Sequence, residues 1–462
     1  MRKEKNMLNK SKMHIHFIGI GGISMSGLAE IMLTQGHKVT GSDMTKSDIT
    51  NHLESLGIEV GLHSKDNINK DIDLVVVTAA IHEDNEELIY AKELGLEIMS
   101  RSKFLGHLME AYKYPICISG THGKTTTTSM LADILLHSKK NPTITVGGIL
   151  DSIGGNIRIG GADYFLTEAC EYCNSFLDFK PIVGVILNIE EDHMDFFKDL
   201  DQIKDSFFQF ANLIPRDGLL VIEDTALENT PQIKQISAPI ETFGLDEHAN
   251  WFASNIIFDE NARPSFDVYH NNEFLFNLKI GLTGMHNILN TLSIIATCNY
   301  LNIDLSSITE ELINFSGARR RFEICGKIHD ITLIDDYAHH PSEIRATLNT
   351  LKKYPHNEIY IVFQPHTYSR TKAFLSEFAE ALGTYGHIIL TEIYAARESN
   401  PGDVRVEDIV DLMKEKDVDA IYLESFDEIT NHLLSIAEPG DLIVTMGAGN
   451  VNQIIDMILG KI

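Results

Sequence analysis

The chain has 462 residues, 44% of them hydrophobic, which suffices for about two to four domains of ordinary size. It carries 38 lysines and arginines against 66 aspartates and glutamates, a formal net charge of −28. This excess repels nucleic acid and anionic lipid, so we expect neither as a partner. An anionic ligand would need cations placed locally, as Lys or Arg side chains, helix N-termini or bound metal.

The five cysteines are an odd number, which favours reduced thiols and a cytoplasmic location. No apolar signal region follows the basic opening, and the longest apolar runs have the length of strands, so we expect neither an export signal nor a membrane span. Cys170 and Cys173 form one C-x-x-C pair. Without a second pair, free thiols are favoured there over zinc or redox chemistry.

A strand, a glycine-rich turn and a helix open the first predicted domain, residues 1–112. The strand begins after Met13, the turn contains Gly19-Ile20-Gly21-Gly22, and helical periodicity continues to Leu33. Further strands are predicted at 38–43 and 73–80, with helices at 47–56 and 86–94. This order is typical of a Rossmann-like unit.

The glycine-rich turn is similar to the dinucleotide-binding fingerprint, with Asp43 where a ribose-binding carboxylate belongs. Ser24 stands in place of the third glycine, so the turn alone suits a nucleotide site or a structural turn equally. A helix N-terminus that binds a diphosphate accepts a nucleotide sugar as well as a nicotinamide dinucleotide.

The middle domain, residues 113–316, begins with a strand at 114–119, a loop and a helix to about His137. The loop is Gly120-Thr121-His122-Gly123-Lys124-Thr125-Thr126. Such a loop directs backbone N–H groups, a lysine and a hydroxyl at polyphosphate and Mg²⁺. Because position 118 is isoleucine where the longer motif has its first glycine, this is a shortened phosphate loop. We expect Lys124 to reach the β- and γ-phosphates and Thr125 to bind Mg²⁺.

Two polar residues follow further predicted strands of this domain, at 164–168 and 183–189. Glu168 ends the first strand and His193 lies just past the second. Because ligands gather at the carboxyl ends of strands in open α/β sheets, both residues are predicted to converge on the phosphate loop as metal ligands. A strand at 219–222 and an Asn-rich stretch at 246–277 predict a mixed sheet with an antiparallel insertion.

The third predicted domain, residues 317–462, alternates five strands with helices and reads as a second Rossmann-like unit. The strands are predicted at 331–335, 358–363, 387–391, 420–424 and 442–446. The preceding Arg319-Arg320-Arg321 is the densest basic cluster, and either meets anionic ligand charge or forms a solvated turn. Polar segments at 335–341 and 364–371 end neighbouring strands and predict a cleft floor.

In this order the segments resemble the Mur ligases, the ATP-dependent amide-forming enzymes that build the peptide of peptidoglycan. The resemblance runs from Met13 to the C-terminus and is most specific in six segments: 19–27, 120–127, 168–176, 192–196, 335–341 and 363–371. It implies α/β domains for a UDP-sugar, for ATP and for an amino acid, in that order. It is strongest to members that join L-alanine to UDP-N-acetylmuramate, which implies those substrates, ATP as co-substrate and Mg²⁺. We expect a monomer or dimer.

The resemblance also implies roles for residues. Gly21, Gly22 and Ser26 would lie near the diphosphate, and Asp43 and His63 near the uridine. ATP would be bound by Gly120, Thr121, His122, Gly123, Lys124, Thr125, Thr126, Asn287, Arg321, Asp336 and His339. Metal would be bound by Thr125, Glu168 and His193. Tyr337, His366 and Arg370 match the L-alanine site, although Thr367 replaces an arginine common in related sequences.

Lys124, His193, His366 and Arg370 are the predicted catalytic residues. On pKa grounds His366 is a candidate to take the proton of the attacking amine. Arg370 would pair with the alanine carboxylate through two parallel hydrogen bonds.

Three alternatives remain open. One is the recycling ligase that attaches a preformed peptide to the same UDP-sugar. Another is an NAD-dependent oxidoreductase, suggested by the turn at Gly19 to Gly22 and by Asp43 but leaving the phosphate loop unexplained. The third is a nucleotide-gated binding module without acyl chemistry.

Overall fold

Three β-sheets of five, ten and six strands follow one another along the chain. The computed structural model describes residues 12–78, 81–194, 196–384, 386–396 and 398–460. The sheets use residues 14–100, 114–279 and 323–446, with helices between the strands. The predicted three-domain α/β organisation is confirmed. The boundaries at 112/113 and 316/317 stay a prediction.

The first sheet is wholly parallel, with the order β3-β2-β1-β4-β5. Its elements are β1 (His14–Ile18), α1 (Ile23–Thr34), β2 (Lys38–Asp43), α2 (Asp48–Ser55), β3 (Glu59–Leu62), β4 (Leu74–Val77), α3 (Glu86–Glu93), β5 (Glu97–Ser100) and α4 (Arg101–Met109). The order reverses at β1, all of whose residues are buried, and the glycine-rich turn follows this strand. In such a sheet this switch point is where ligands bind. The predicted strand at 73–80 is β4, and Ala79 and Ala80 lie outside the described residues.

The second sheet is mixed, as predicted, with the order β15-β14-β13-β12-β11-β10-β6-β9-β7-β8. Its elements are β6 (Tyr114–Ser119), α5 (Lys124–His137), β7 (Thr143–Leu150), β8 (Gly155–Arg158), β9 (Tyr164–Glu168), β10 (Val183–Ile186), α6 (Leu200–Ala211), β11 (Leu219–Glu223), α7 (Asp224–Asn229), β12 (Ile240–Gly244), β13 (Trp251–Phe258), β14 (Pro264–His270), β15 (Glu273–Lys279), α8 (Met285–Tyr300) and α9 (Leu305–Asn314). The antiparallel insertion is β13 to β15. The parallel centre, β10-β6-β9, brings the phosphate loop, Glu168 and the segment before His193 to one edge.

The third sheet has the order β16-β17-β21-β18-β19-β20, parallel except for its edge strand β16. Its elements are β16 (Glu323–Ile328), β17 (Ile331–Asp336), α10 (Pro341–Leu351), β18 (Ile359–Phe363), α11 (Tyr368–Ala373), α12 (Leu375–Leu382), β19 (His387–Leu390), α13 (Val406–Lys414), β20 (Ala420–Tyr422), α14 (Phe426–Ile436), β21 (Leu442–Met446) and α15 (Gln453–Ile458). All five predicted strands are present. The sequence did not predict β16.

The first and second sheets share one apolar core, in which Phe17 and Phe104 are continuous with Phe165 and Phe176. Their close approach needs glycine at position 27, since a Cβ there would lie 1.4 Å from Cδ1 of Ile157. Close packing of this kind fixes the glycine-rich turn relative to the second sheet. None of the helices in the described part of the chain is long and apolar enough to cross a membrane.

Candidate functional site

The phosphate loop joins β6 to α5 and is fixed by side chains from outside it. The φ angles of Gly120 and Gly123 are +136° and +83°, conformations that favour glycine. A Cβ at Gly123 would also lie 2.9 Å from Oδ1 of Asn290. Asn188 accepts from the N–H of His122 at 2.8 Å and donates to its carbonyl at 3.1 Å. The loop is therefore held rigidly with its N–H groups at the start of a helix, the geometry that binds anions.

The Lys124 ammonium lies against the loop that precedes it. It donates to the carbonyl oxygens of Gly120 and Thr121 and to Oε2 of Glu171, the last at 3.1 Å. The Glu171 side chain is only 2% exposed. Burial lowers the pKa of Lys124, but the Glu171 carboxylate outweighs burial and raises this pKa overall. Lys124 is thus a cation held at the loop. Glu171 is a partner that the sequence reasoning missed.

Thr125 and Glu168 meet at the edge of the loop, as predicted. The Thr125 hydroxyl donates to Oε2 of Glu168 at 3.2 Å, and Oε1 accepts from the N–H of Gly147 at 2.5 Å. Burial raises the pKa of Glu168, although the N–H of Gly147 and the Lys124 charge oppose this shift. A hydroxyl beside a buried carboxylate is a donor set that suits Mg²⁺, so these residues fit the expected metal.

His193 lies close to two carboxylates. Its Nε2 is 3.8 Å from Oε1 of Glu171 and 3.8 Å from Oδ2 of Asp192. Burial lowers the pKa of His193, so the ring is neutral and free to bind a cation at neutral pH. Its φ of +54° is uncommon for a residue with a side chain and marks a backbone held by its surroundings.

A cavity of about 760 Å³ lies between the second and third sheets, a volume that suits a nucleotide. Six of the residues predicted to bind ATP line it: His122, Gly123, Thr126, Asn287, Arg321 and Asp336. Asn287 is fixed there by donation to the carbonyl of Thr283 at 2.8 Å. Asp336 accepts from the N–H groups of Phe322 and Ala338, and burial raises its pKa to about 6.

The three consecutive arginines have different surroundings. Arg320 donates to Asp335 and to the carbonyls of Gly447 and Gly449. It therefore links β17 to the segment that follows β21. Arg319 is exposed, pairs with Asp151 and also lines the cavity. Arg321 lines the cavity, with its guanidinium 4.8 Å from the centre of the Tyr337 ring. Of the cluster, Arg319 and Arg321 line the cavity where ligand charge is expected, whereas Arg320 does not.

The residues predicted for the amino acid lie together at the start of the third domain. Arg370 donates from Nε and Nη2 to Oδ1 of Asp192, at 3.2 and 2.9 Å, and its Nη1 lies 3.3 Å from Nδ1 of His366. His339 packs against both Tyr337 and His366, with ring centres 5.4 and 5.8 Å apart. His339, predicted to contact ATP, therefore groups with the amino-acid residues; burial lowers its pKa to about 4.

His122 reaches from the phosphate loop to the third domain. Its Nδ1 lies 3.1 Å from Oε1 of Glu343, and its Nε2 lies 3.4 Å from Oε2 of Glu190 and 2.8 Å from the hydroxyl of Ser342. Burial lowers the pKa of His122, but hydrogen bonds to Glu190 and Glu343 outweigh it and raise this pKa to about 9. Neighbouring His340 is buried, and burial lowers its pKa to about 4.

In the first domain, Asp43 organises the glycine-rich turn. Its Oδ2 accepts from the N–H of Gly21 at 2.8 Å. Gly22 caps α1 and therefore stands at the helix N-terminus, where a diphosphate binds well. The Ser26 hydroxyl donates within its own helix to the carbonyl of Ile23 at 3.0 Å and is nearly buried.

His63 belongs to a buried polar network around Glu87. Nδ1 of His63 lies 3.0 Å from Oε2 of Glu87 and 2.9 Å from the hydroxyl of Ser42. Glu87 is fully buried and also accepts from the side chain of Asn67 and the N–H of Ser64. Sequence reasoning missed Glu87 because an acid within a helical pattern gives no signal of burial.

Arg101 is a cation next to the glycine-rich turn that the sequence also did not indicate. Its Nη1 donates to the hydroxyl of Ser24 at 2.8 Å. Burial lowers the pKa of Arg101, and the Cys170 thiol lies close enough to oppose this shift. Arg101 therefore lies near both the glycine-rich turn and Cys170, the residue before Glu171. This is a local positive charge of the kind that the overall charge of −28 requires.

Three domain models match most of the chain: "Mur ligase family, catalytic domain" at residues 14–113, "Mur ligase middle domain" at 118–298 and "Mur ligase, glutamate ligase domain" at 320–449. UDP-N-acetylmuramate–L-alanine ligase of Clostridium novyi is 49% identical over 454 residues, which cover 98% of this chain and 99% of that protein. The chain belongs to the Mur ligase family. The resemblance seen in its sequence is confirmed.

Other Mur ligases support this membership. The enzyme of the same name from Caldanaerobacter subterraneus is 47% identical, covering 95% of this chain and 96% of that one. The structure of UDP-N-acetylmuramate-alanine ligase MurC from Thermotoga maritima matches with a TM-score of 0.80 at 31% identity, covering 97% and 99% of the two chains. A murein peptide ligase from Psychrobacter arcticus matches with a TM-score of 0.70 at 26% identity, covering 97% and 98%.

Proposed function

We propose that this Mur ligase joins L-alanine to the carboxylate of UDP-N-acetylmuramate and converts ATP to ADP and phosphate. The observation that carries the proposal is the ion pair of Arg370 with Asp192, next to His193 and the Lys124 loop. It brings the arginine that we propose binds the amino acid close to the loop that we propose binds phosphate. Relatives 47–49% identical over nearly the whole chain bear the name of this activity.

The chemistry explains why ATP is needed. A carboxylate is a poor acyl electrophile at neutral pH, so its oxygen must first become a leaving group. Attack of the sugar-borne carboxylate on the γ-phosphate gives an acyl phosphate and ADP. The alanine amine then attacks the acyl carbon, and the tetrahedral intermediate collapses to amide and phosphate. His366 is proposed to take the amine proton.

On this proposal the phosphates of ATP lie on the loop from Gly120 to Thr126. Lys124 offsets the repulsion between the carboxylate and the triphosphate. Thr125 and Glu168 would hold one Mg²⁺, and His193 would hold a second with oxygens from Glu171. The chemistry that bound Mg²⁺ supplies is neutralisation of phosphate charge. Asn287, Arg321 and Asp336 would face the nucleotide across the cavity, with His339 nearby.

Arg370 is proposed to bind the alanine carboxylate. A guanidinium has five N–H groups, and Asp192 and His366 engage three of them, which leaves two for a ligand. Two parallel N–H groups are the arrangement that recognises a carboxylate. Tyr337 and His366 would complete this site.

The UDP-sugar is proposed to bind the first domain. Its diphosphate would lie at the N-terminus of α1, near Gly21, Gly22 and Ser26, with Asp43 and His63 near the uridine. Arg101 is added to this set, because its guanidinium donates to Ser24 of the turn and lies near Cys170, next to Glu171. ATP, reduced thiols and a nucleotide sugar suit the cytoplasm.

Substrates on three domains imply that movement of the third domain completes the site and excludes water. X-ray scattering of the chain with and without MgATP and UDP-N-acetylmuramate tests this. We expect a smaller radius of gyration with both ligands, and an unchanged curve would contradict closure.

The decisive experiment measures phosphate release with each of the three substrates omitted in turn. Release that needs all three supports the ligase, whereas release indifferent to alanine supports the nucleotide-gated binding module. Replacing L-alanine by a tripeptide tests the recycling ligase, which the murein peptide ligase structure from Psychrobacter arcticus represents among the neighbours. NADH fluorescence unchanged by the protein would dismiss the oxidoreductase.

A further inference from the structure

We propose that His122, Glu190 and His340 form a site for a divalent transition-metal cation such as Zn²⁺, separate from the proposed Mg²⁺ ligands. One ligand atom from each residue lies within 4.8 Å of the other two, in the described part of the chain. Two imidazoles and a carboxylate are a known set of protein ligands for zinc, with water as the fourth. Imidazole nitrogens favour Zn²⁺ over Mg²⁺, so the cation in question differs from that of ATP.

The second nitrogen of each ring is already engaged, as is usual for metal-binding histidines. Nδ1 of His122 lies 3.1 Å from a carboxylate oxygen of Glu343. Nδ1 of His340 lies 2.8 Å from the hydroxyl of Ser342, which accepts the Nδ1–H in the tautomer whose Nε2 binds a cation. In that tautomer the contact of Nδ1 with the N–H of Ser342, at 3.3 Å, is given up. A cation on Nε2 of His122 would take the place of the ring proton and of the 2.8 Å contact with the Ser342 hydroxyl. Nε2 of His340 is buried without a hydrogen-bond partner, and only 5% of the His340 surface is exposed.

The geometry needs only a small contraction. Ligands at about 2.0–2.2 Å from a tetrahedral Zn²⁺ are about 3.4 Å apart. Nε2 of His122 and Oε2 of Glu190 are already 3.4 Å apart. The Glu190 side chain is 45% exposed and so has room to rotate, and Ser342 is free to turn its hydroxyl from one ring to the other.

The ligands come from both sides of the nucleotide cavity. His122 belongs to the phosphate loop and Glu190 follows β10, whereas His340 caps α10 of the third domain. A cation bound to all three would tie the loop to the third domain. We infer that Zn²⁺ stabilises contact between these domains and slows any turnover that requires them to separate.

Titration calorimetry of the chelator-treated full chain with ZnCl₂, in a large excess of MgCl₂, tests the site. Two variants remove a ligand: Glu190→Gln, and His340→Asn, whose side chain still serves as a helix N-cap. Glu191→Gln is the matched control, since it removes the same charge from the next, exposed residue. We expect one Zn²⁺ per wild-type chain and the visible absorption bands of four-coordinate Co²⁺ in the cobalt form.

Both ligand variants should weaken Zn²⁺ binding at least tenfold and abolish the Co²⁺ bands, and the control should bind as the wild type does. If Glu190→Gln and His340→Asn bind Zn²⁺ as tightly as the wild type, the site is refuted. Equal weakening in Glu191→Gln would also overturn it, because general acidity of the surface would then be the cause. The proposed ligase activity is not involved in either readout.

Discussion

Arg370 and Asp192, 178 positions apart in the chain, form a buried ion pair that joins the third domain to the second. Burial raises the pKa of Asp192, but His193 and Arg370 outweigh burial and hold it well below its usual value. The carboxylate is therefore charged at any physiological pH. It orients the guanidinium and leaves N–H groups for the carboxylate that we propose Arg370 binds.

Replacement of Arg370 by lysine keeps the charge but removes the planar pair of donors, so we expect the KM for L-alanine to rise at least tenfold. The KM for UDP-N-acetylmuramate should stay unchanged. Arg370→Ala should in addition destabilise the protein by about 3–5 kcal/mol, because Asp192 is left buried and unpaired. Arg370→Ala with Asp192→Asn should recover stability but not alanine affinity. Steady-state kinetics and thermal unfolding measure these effects, with exposed Lys372→Ala as control. An unchanged alanine KM in Arg370→Lys would remove this arginine from the site.

Lys124→Ala should lower the rate of ADP formation by a factor of about 10²–10³ or more, because the loop loses the cation that faces the phosphates. UDP-N-acetylmuramate should still bind, since its proposed site lies in another domain. Because Glu171 would be left buried without its partner, Lys124→Met with Glu171→Gln is the better-folded comparison. Calorimetric titration with the UDP-sugar checks binding and a coupled ADP assay checks turnover. Loss of both in the double variant would contradict the separation of the sites.

Much of the fold could be predicted because buried parallel strands are short apolar runs bounded by turns. β1, β6, β9 and β21 were found in this way. The missed strands lie mostly near sheet edges and carry polar or glycine residues, as in β3, β7 and β16. These strands are held by hydrogen bonds to neighbouring strands that are distant in sequence, and the local sequence pattern carries no information about that pairing.

The site could be predicted where a strand ends in a polar residue, which placed Thr125 beside Glu168 and put Asp336 at the cavity. Charge pairing was not predictable. Glu171 binds Lys124 although it lies 47 positions further along the chain. Arg320 looks the same as Arg321 in the sequence, but its guanidinium is hydrogen-bonded within the third sheet. Such partners depend on the packing of whole domains.

The protonation of His122 should make stability depend on pH. Its pKa of about 9 in the folded protein lies above the ordinary 6.5, so the stabilisation is complete below pH 6.5 and is lost as pH rises through 9. Its maximum is about 3 kcal/mol. In chelator-treated protein the apparent Tm of the wild type should therefore approach that of His122→Gln between pH 6.5 and 9.5. A Tm difference constant over this range would disprove a raised pKa.

Glu87→Gln should weaken UDP-N-acetylmuramate binding without changing kcat. The glutamine amide replaces one acceptor oxygen of Glu87 by an NH₂ group that faces the other donors of the buried network. The unsatisfied contacts cost about 1–3 kcal/mol of stability and displace His63. The KM for the UDP-sugar should rise while those for ATP and L-alanine stay constant. Exposed Glu86→Gln is the control. If all three KM values changed together, the effect would be one of general stability.

Substitution of Arg101 tests whether its positive charge contributes to the use of the UDP-sugar. Its guanidinium touches Ser24 of the glycine-rich turn and lies near Cys170, one residue before Glu171. Arg101→Gln removes a partly buried cation next to the turn where the diphosphate is proposed to bind. The value of kcat/KM for the UDP-sugar should therefore fall about tenfold or more, as expected for a lost charge-assisted hydrogen bond. Lys103→Gln, an exposed cation in the same helix α4, should behave as the wild type. Because Arg101→Lys keeps the charge at the turn, it should recover part of the activity; recovery no better than that of Arg101→Gln would show that the charge itself is not what the substrate uses.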